Sequence, residues 1–289
     1  MRALVLLTAG FLAAACRPAA PTESAATPRR IVALTVGSVD TLARLGALDR
    51  VVGVEEDCFV PGTEGLVKLR NDDHAGPSKA LNVEAILALA PDLVVAKRDL
   101  EPVLGGRGVD VFWASNATDL DGIAGDVRAL GARIGLDDRA EEVVRVMRAE
   151  ADAIAAEVAA LPRVRVYYEA GRAGRTVGRG TVVDAMLRLA GGVNVAGDLP
   201  LANPVLTSEA ILAADPEVIV LSPWSDAPEE VALRPGWERT SAVRAGRVHR
   251  LSERERRVQY PGPSCVDGCR SELLSWIHPE LARAGAARR

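Results

Sequence analysis

The chain has 289 residues, 48% of them hydrophobic, and a net charge of -4 with both signs mixed along its length. No basic stripe offers a nucleic-acid surface. Beyond the N-terminal leader no apolar stretch is long enough to cross a bilayer.

Arg2 gives a short positive start, and Ala3 to Ala15 is an apolar run ending in small residues before Cys16. This reads as a signal peptide over residues 1–16, too short to span a membrane. Leu12-Ala13-Ala14-Ala15-Cys16 resembles a lipobox, whose cysteine takes a diacylglycerol, with Ala13 where that pattern prefers leucine. The other reading is simple secretion, with Cys16 lost in the leader. Either way the mature protein is expected outside the cytoplasm, in the periplasm or at the cell surface, touching the membrane through a lipid anchor only. Residues 17–29 are rich in Pro, Ala, Thr and Ser, without apolar periodicity, and read as a flexible tether.

The globular part starts near Arg30, leaving about 260 residues, enough for two lobes with cores of their own. Ile31-Val32-Ala33-Leu34 reads as a strand, Val39 to Leu45 as a helix, and Val51-Val52-Gly53-Val54 as the next strand. Glu84 to Ala90 is helical until Pro91, and Leu93 to Ala96 and Val109 to Trp113 are strands. After Pro162 a second series follows, with a strand at Val164 to Tyr168, a helix at Val182 to Leu189 and a strand at Val218 to Leu221. Helices alternating with short β-branched runs predict an α/β fold of parallel sheets flanked by helices. Between the series, Asp137 to Leu161 has apolar residues at helical spacing and no Gly or Pro, which predicts one long helix over 137–161 joining an N-terminal lobe (30–136) to a C-terminal lobe (162–289).

The lobes echo one another. Glu84-Ala85-Ile86-Leu87-Ala88 and Pro91-Asp92-Leu93-Val94-Val95 recur as Glu209-Ala210-Ile211-Leu212-Ala213 and Pro216-Glu217-Val218-Ile219-Val220. Arg44-Leu45 with Val51 and Gly53 is matched by Arg188-Leu189 with Val195 and Gly197, and Thr35-Val36-Gly37 by Thr176-Val177-Gly178. Two similar lobes create a cleft in which a ligand would sit.

These segments carry a family resemblance. Arg30-Ile31-Val32-Ala33-Leu34, Leu45-Gly46, Arg50 to Val54, Asn82-Val83-Glu84 leading to Pro91-Asp92, Pro235-Gly236-Trp237, Gly246-Arg247-Val248, Pro261-Gly262-Pro263 and His278-Pro279-Glu280 stand in order along the chain. The chain thereby resembles the iron-chelate and vitamin B12 class of periplasmic binding proteins. The resemblance implies a monomeric, non-enzymatic carrier that takes a small-molecule ligand to an ABC permease dimer with its ATPase. It also implies that Glu84 and Glu209, one per lobe, dock into basic pockets of that permease. One acid per lobe suits a symmetric partner, and both positions also suit the positive end of a helix dipole.

In such a fold the loops after the strands edge the cleft, which nominates Ser38, Phe59, Arg172, Arg175, Arg179, Asn203, Trp224 and Tyr260. Cobalamin-binding relatives place an aromatic where this chain has Asn203, which argues against cobalamin. Haem carriers offer a Tyr or His axial ligand; Tyr260 and Tyr168 are candidates, though either could be packing, and His74, His249 and His278 are given no role. Arg172, Arg175 and Arg179 form a basic run suited to carboxylate or catecholate oxygens of a ferric chelate, or else a solvated loop.

Besides Cys16 there are three cysteines, Cys58, Cys265 and Cys269, an odd number for an exported chain. Cys265 and Cys269 follow the turn where the family starts its last helix, so they would lie four apart on one face. Their Cβ atoms would be about 5–6 Å apart, beyond the roughly 3.5–4.5 Å of a disulfide. A helix N-terminus also lowers a thiol pKa. With Cys58 from the facing loop, the set predicts a thiolate site for a soft metal or metalloid. Two other readings stand: a disulfide from Cys58 to Cys265 or Cys269, and three small buried apolar residues.

No G-x-S-x-G, H-E-x-x-H or phosphate-binding glycine loop is present. The expected function is capture of a metal, metal chelate or corrinoid as cargo, with no cofactor required. The alternative is a thiolate-based metal or redox sensor, or a metal-dependent enzyme. Cys16→Ser is expected to release the protein from membranes on fractionation; a variant that stays with the membrane overturns the anchor.

Overall fold

The structure, a computed structural model, describes residues 27–70, 81–171, 174–252 and 255–281. The leader with Cys16, most of the tether, His74 and Arg172 lie outside the described residues. The elements are β1 (Ile31–Ala33), α1 (Val36–Leu45), β2 (Val51–Glu55), β3 (Val67–Leu69), α2 (Val83–Ala88), β4 (Leu93–Lys97), α3 (Glu101–Leu104), β5 (Val111–Ala114), α4 (Leu120–Arg133) and α5 (Asp137–Val158). They continue with β6 (Val164–Glu169), α6 (Val182–Leu189), β7 (Gly192–Asn194), α7 (Ser208–Ala214), β8 (Val218–Leu221), α8 (Pro228–Ala232), α9 (Ser241–Arg244) and β9 (Val248–Arg250). A last helix has α10 (Cys265–Gly268), a π-helical turn (Cys269–Leu273) and α11 (Leu274–Ile277). The strands form two wholly parallel sheets, β3-β2-β1-β4-β5 and β7-β6-β8-β9. Helices cover parallel sheets on both faces, which is why β1, β4 and β8 read as continuous apolar runs rather than alternating ones.

The internal echo has a physical basis. Among the described residues, Ala90 and Asp215, each just before a proline, are the non-glycine residues with positive φ, 45° and 41°. In each lobe an arginine near the start of the first strand bonds to this turn: Arg30 to the carbonyls of Leu89 and Ala90, Arg165 to that of Asp215. The acid after the proline accepts from the same stretch, Asp92 from the Arg29 and Arg30 amides and Glu217 from the Arg165 amide at 3.0 Å. These clasps hold α2 and α7 at matching heights against their sheets. The echo of Thr35 is corrected: Thr35 caps α1, and the residue that caps α6 is Thr181, not Thr176. Thr176 instead donates its hydroxyl to the Tyr168 carbonyl.

The helix expected over 137–161 runs from Asp137 to Val158. Ala140, Val143, Val144, Met147, Ala151, Ile154 and Val158 make its buried stripe. It bonds to both lobes, Arg128 of α4 reaching Glu141 at 2.7 Å and Arg270 of the π turn reaching Glu150 and Glu157 at 2.5 Å. One buried apolar core runs without a break from β1 and α1 through α5 to α6 and the last helix. Smaller clusters cover the outer faces of the two sheets.

A second seam joins the lobes beside α5. Ser264, just before α10, donates its amide to Asp40 Oδ2 at 2.8 Å and its hydroxyl to Asp40 Oδ1 at 2.5 Å. Arg44 bonds Ser264 Oγ at 2.9–3.0 Å and pairs with Asp267. Burial pushes the Asp40 carboxyl up, opposed by the Ser264 hydrogen bonds and by Arg44. The backbones meet closely: a Cβ on Gly37 would lie 2.6 Å from the Pro261 carbonyl oxygen, and one on Gly262 2.6 Å from Asp40 Oδ2. Gly262→Ala is expected to lower stability by about 1–3 kcal/mol in urea unfolding. Gly65→Ala, where a Cβ meets nothing within 4 Å, should change it by less than about 0.5 kcal/mol.

Candidate functional site

The carboxyl ends of the parallel strands from both sheets converge on one cleft, the place where open α/β sheets bind ligands. Its volume is about 590 Å³, within the range of small-molecule sites. The N-terminal wall carries Thr35 and Val36 after β1, Glu55, Glu56 and Asp57 at the end of β2, and Lys97 closing β4. The C-terminal wall carries Tyr168 of β6, Trp224 after β8, and Gln259 and Tyr260.

A two-stranded lip borders the C-terminal wall. Thr176 N donates to Pro204 O at 3.0 Å, Gly178 N to Ala202 O at 2.8 Å and Leu206 N to Gly174 O at 3.0 Å. Gly174 has φ 72°, and any Cβ there would run into the Leu206 carbonyl, so the lip needs glycine at that point. It presents Arg175, Asn203 and Val205 to the cleft.

Trp224 is 45% exposed yet firmly held. Ser222 N and Ser225 Oγ, on either side, donate to the Glu169 carbonyl at 2.9 and 3.0 Å, and Arg250 donates to the Pro223 carbonyl. The fully buried Glu169 carboxylate takes a two-pronged bond from Arg234 at 2.7 and 2.9 Å and one from Tyr167 at 3.2 Å, and Arg234 also reaches Asp226 at 2.9 Å. Burial of two like-sized opposite charges is tolerable because the fork satisfies both oxygens.

Of the residues nominated from sequence, Arg175, Asn203, Trp224 and Tyr260 line the cleft. Ser38 does not: it is buried in the first turn of α1, its amide donating to Thr35 Oγ1 and its hydroxyl accepting from it at 2.7 Å. Phe59 lies behind the wall, its ring 5.6 Å from that of Tyr260 and 4.4 Å beneath the Arg256 guanidinium. Arg179 turns away to the Gly197 carbonyl and Asp198, both at 3.1 Å. Among the described residues the expected basic run therefore leaves only Arg175 in the cleft. Glu84 and Glu209 are exposed second residues of α2 and α7, each following a cap whose side chain accepts from the amide three residues on, Asn82 from Ala85 and Thr207 from Ala210.

The expected meeting of Cys58, Cys265 and Cys269 is not found. All three are buried free thiols within the main core, none lines the cleft, and the described residues contain no group of three metal-binding side chains. Burial pushes all three thiols up, Cys269 to about 12. Desolvation outweighs the helix-dipole effect that suggested thiolates, because the charged form has lost its water. The Cys269 thiol donates to the Met186 carbonyl at 3.4 Å, and Cys58 accepts from Thr63 at 3.7 Å.

Sequence reasoning passed over Glu55, Lys97 and Gln259. The first two end strands β2 and β4, so the rule that strand ends edge the cleft would have found them. Gln259 sits in a short 3-10 helix, Glu255–Gln259, that no periodicity announces.

Two lobes with parallel sheets, one connecting helix and a cleft at the strand ends define a two-lobed binding protein. The chain belongs to the periplasmic binding protein family, whose model matches residues 31–255. It is 31% identical over 257 residues to the cobalamin-binding protein of Halobacterium salinarum, covering 83% of this chain and 67% of that one. It is 26% identical over 265 residues to the uncharacterized ABC transporter substrate-binding lipoprotein YvrC of Bacillus subtilis, covering 88% and 81%. Among solved structures, the periplasmic heme-binding protein RhuT from Roseiflexus superposes with a TM-score of 0.76 at 23% identity, covering 86% of this chain and 98% of that one.

Buried thiols of raised pKa are poor nucleophiles. In the folded protein at about pH 8, Cys265 and Cys269 are expected to resist iodoacetamide and to react only once urea opens the core. Mass spectrometry reads the adducts; fast labelling of both without denaturant would contradict their placement.

Proposed function

We propose that this protein is the solute-binding component of an ABC importer and that its cargo is a flat metal macrocycle, a corrinoid first. The observation that carries this reading is the aromatic wall of the cleft, where half-exposed Trp224 stands with Tyr260 on a cavity of about 590 Å³. An indole held rigidly in a cleft gains most from a planar apolar face laid against it. Trp224 and Tyr260 thus supply from other positions the aromatic surface that Asn203 lacks. The cobalamin-binding relative at 31% identity supports the same choice. Iron ligation by Tyr168 is disfavoured, since burial pushes its phenol up and its oxygen accepts a 2.5 Å bond from Gln259.

The protein acts without turnover, as a monomer held at the outer membrane face by a lipid on Cys16, with lobes at 30–136 and 162–289 joined through 137–161. Glu84 and Glu209 meet the permease dimer. Their exposure and like capping support this, since a docking acid needs a well-held helix under it. The thiolate sensor or metal-dependent enzyme loses its support with the burial of the cysteines.

Calorimetric titration with dicyanocobinamide is expected to give one-to-one binding with a Kd of about 1 µM or tighter, and Trp224→Ala to weaken it about tenfold. Binding of haemin but no corrinoid would move the cargo to a porphyrin. Reversing both Glu84 and Glu209 to Arg is expected to abolish uptake with affinity unchanged; a fall in affinity with uptake otherwise intact would remove the docking role.

A further inference from the structure

The N-terminal sheet has the order β3-β2-β1-β4-β5, so the chain steps to one side of β1 for β2 and β3 and to the other for β4 and β5. The crevice at the carboxyl ends of β1 and β4 is the kind of switch point at which open parallel sheets take ligands. A side chamber lies there, lined by Thr35 after β1, Lys97 closing β4, Ser115 after β5, and Asp126 and Leu130 of α4. Thr35, Gly37, Lys97 and Pro261 line both the chamber and the cleft, so the two adjoin. The chamber measures about 20 Å³, room for one water-sized group.

Asp126 is poorly matched within this chamber. Half-buried on α4, it takes hydrogen bonds from Ser115 alone, whose amide lies 3.0 and 3.1 Å from its two oxygens. One amide shared between two oxygens leaves most of a carboxylate's acceptor sites unused. Burial pushes the carboxyl up despite those bonds, because the water it lost has not been fully replaced. The C-terminal lobe treats its own switch point differently. At the end of β6 the Glu169 carboxylate is met by the Arg234 fork and the Tyr167 hydroxyl. Among the described residues no cation does this for Asp126. One lobe has matched its acid with its own side chains, and the other leaves an acceptor beside the cleft.

We propose that this chamber is a second contact point for the cargo, in which Asp126 accepts a hydrogen bond from the N–H tip of a short arm ending in a primary amide. The inference rests on the cleft being the cargo site and adds the residue that selects among cargoes of one shape. A flat ring laid on Trp224 is held against the indole but can still turn and slide in its plane. An arm held by Asp126, on the other lobe, fixes that rotation. Hydrogen bonds to an ionised acceptor are the stronger kind. A site built around such a bond rejects an isostere that lacks the donor, because the buried acceptor is then left unmatched.

Two probe pairs test this, and the first does not depend on which cargo is natural. Acetamide and acetone are neutral and nearly equal in size, and only acetamide carries N–H donors. Titrated into isotopically labelled protein, acetamide is expected to shift the Ser115 amide and the Asp126 carboxyl carbon saturably, with an apparent Kd of about 10 mM. Acetone is expected to bind at least about tenfold more weakly. Asp126→Asn keeps an oxygen for the Ser115 amide and sets a donor against the donor of the probe. It is expected to weaken acetamide about tenfold and leave acetone as it was. Equal responses to the two probes, no saturable response to acetamide, or undiminished acetamide binding in the variant overturns the proposal. Should the variant fail to melt cooperatively, the comparison of the two probes on the unaltered protein decides. The second pair shares one macrocycle: dicyanocobinamide with amide arms, and the heptamethyl ester of dicyanocobyrinic acid, whose arms carry no N–H. The protein is expected to prefer the amide form by about tenfold or more, and Asp126→Asn to narrow that gap to about threefold or less. Equal affinities, or an undiminished gap in the variant, overturn the proposal. If neither corrinoid binds while acetamide and acetone behave as expected, the corrinoid reading falls and the donor site at Asp126 stands.

Discussion

The Asp40 carboxylate on the first helix receives the amide and hydroxyl of Ser264, 224 residues further along the chain. Around that contact the backbones of Gly37 and Gly262 approach so closely that neither position has room for a Cβ. The first turn of α1 and the turn before the last helix are thereby fixed face to face, and α5 holds the last helix through Arg270 with Glu150 and Glu157 and α1 through Arg139, which donates to the Arg44 carbonyl at 3.1 Å. The cleft lies at the edge of this seam: Gly37 and Pro261 belong both to the contact and to the cavity lining. The spacing of the two cleft walls is therefore set by backbone contact, with little left to side-chain adjustment.

Most of the fold could be read in the sequence because the forces behind it are local. Apolar runs bounded by Pro and Gly mark strands of parallel sheets, and the stripe from Ala140 to Val158 marks α5. The Pro-acid pairs at Pro91-Asp92 and Pro216-Glu217 recur because each lobe ties the turn after α2 or α7 to its first strand with the same clasp. What could not be read depended on distant partners. Arg179 looked like part of a basic cleft until Asp198 took it. The cysteines looked like ligands because spacing shows a helix face but not what covers it, and here the cover is the shared apolar core. The last helix looked continuous, whereas the π turn at Cys269–Leu273 inserts into it.

The chemistry of the cleft comes from two kinds of support. Trp224 owes its position to polar groups that never touch the cavity, the buried Glu169 and the Arg234 fork behind it. Arg256 stands between Phe59 and Trp224, 4.4 and 5.8 Å from their rings, and donates to the Asp57 carbonyl at 2.9 Å. One guanidinium thus links the aromatic wall of one lobe to the acidic loop of the other. Hydrogen-bonded and stacked groups of this kind hold a site's geometry before any ligand arrives, which lowers the ordering cost of binding.

The unbroken core through α5 also makes the two lobes one folding unit. Each lobe covers part of the same apolar stripe, so melting either would expose α5 to water and remove the packing on which the other relies. A lobe cut free would carry a raw hydrophobic face, and the chain gains little from folding by halves. Such cooperativity keeps partly unfolded forms scarce and denies proteases a stable intermediate to attack.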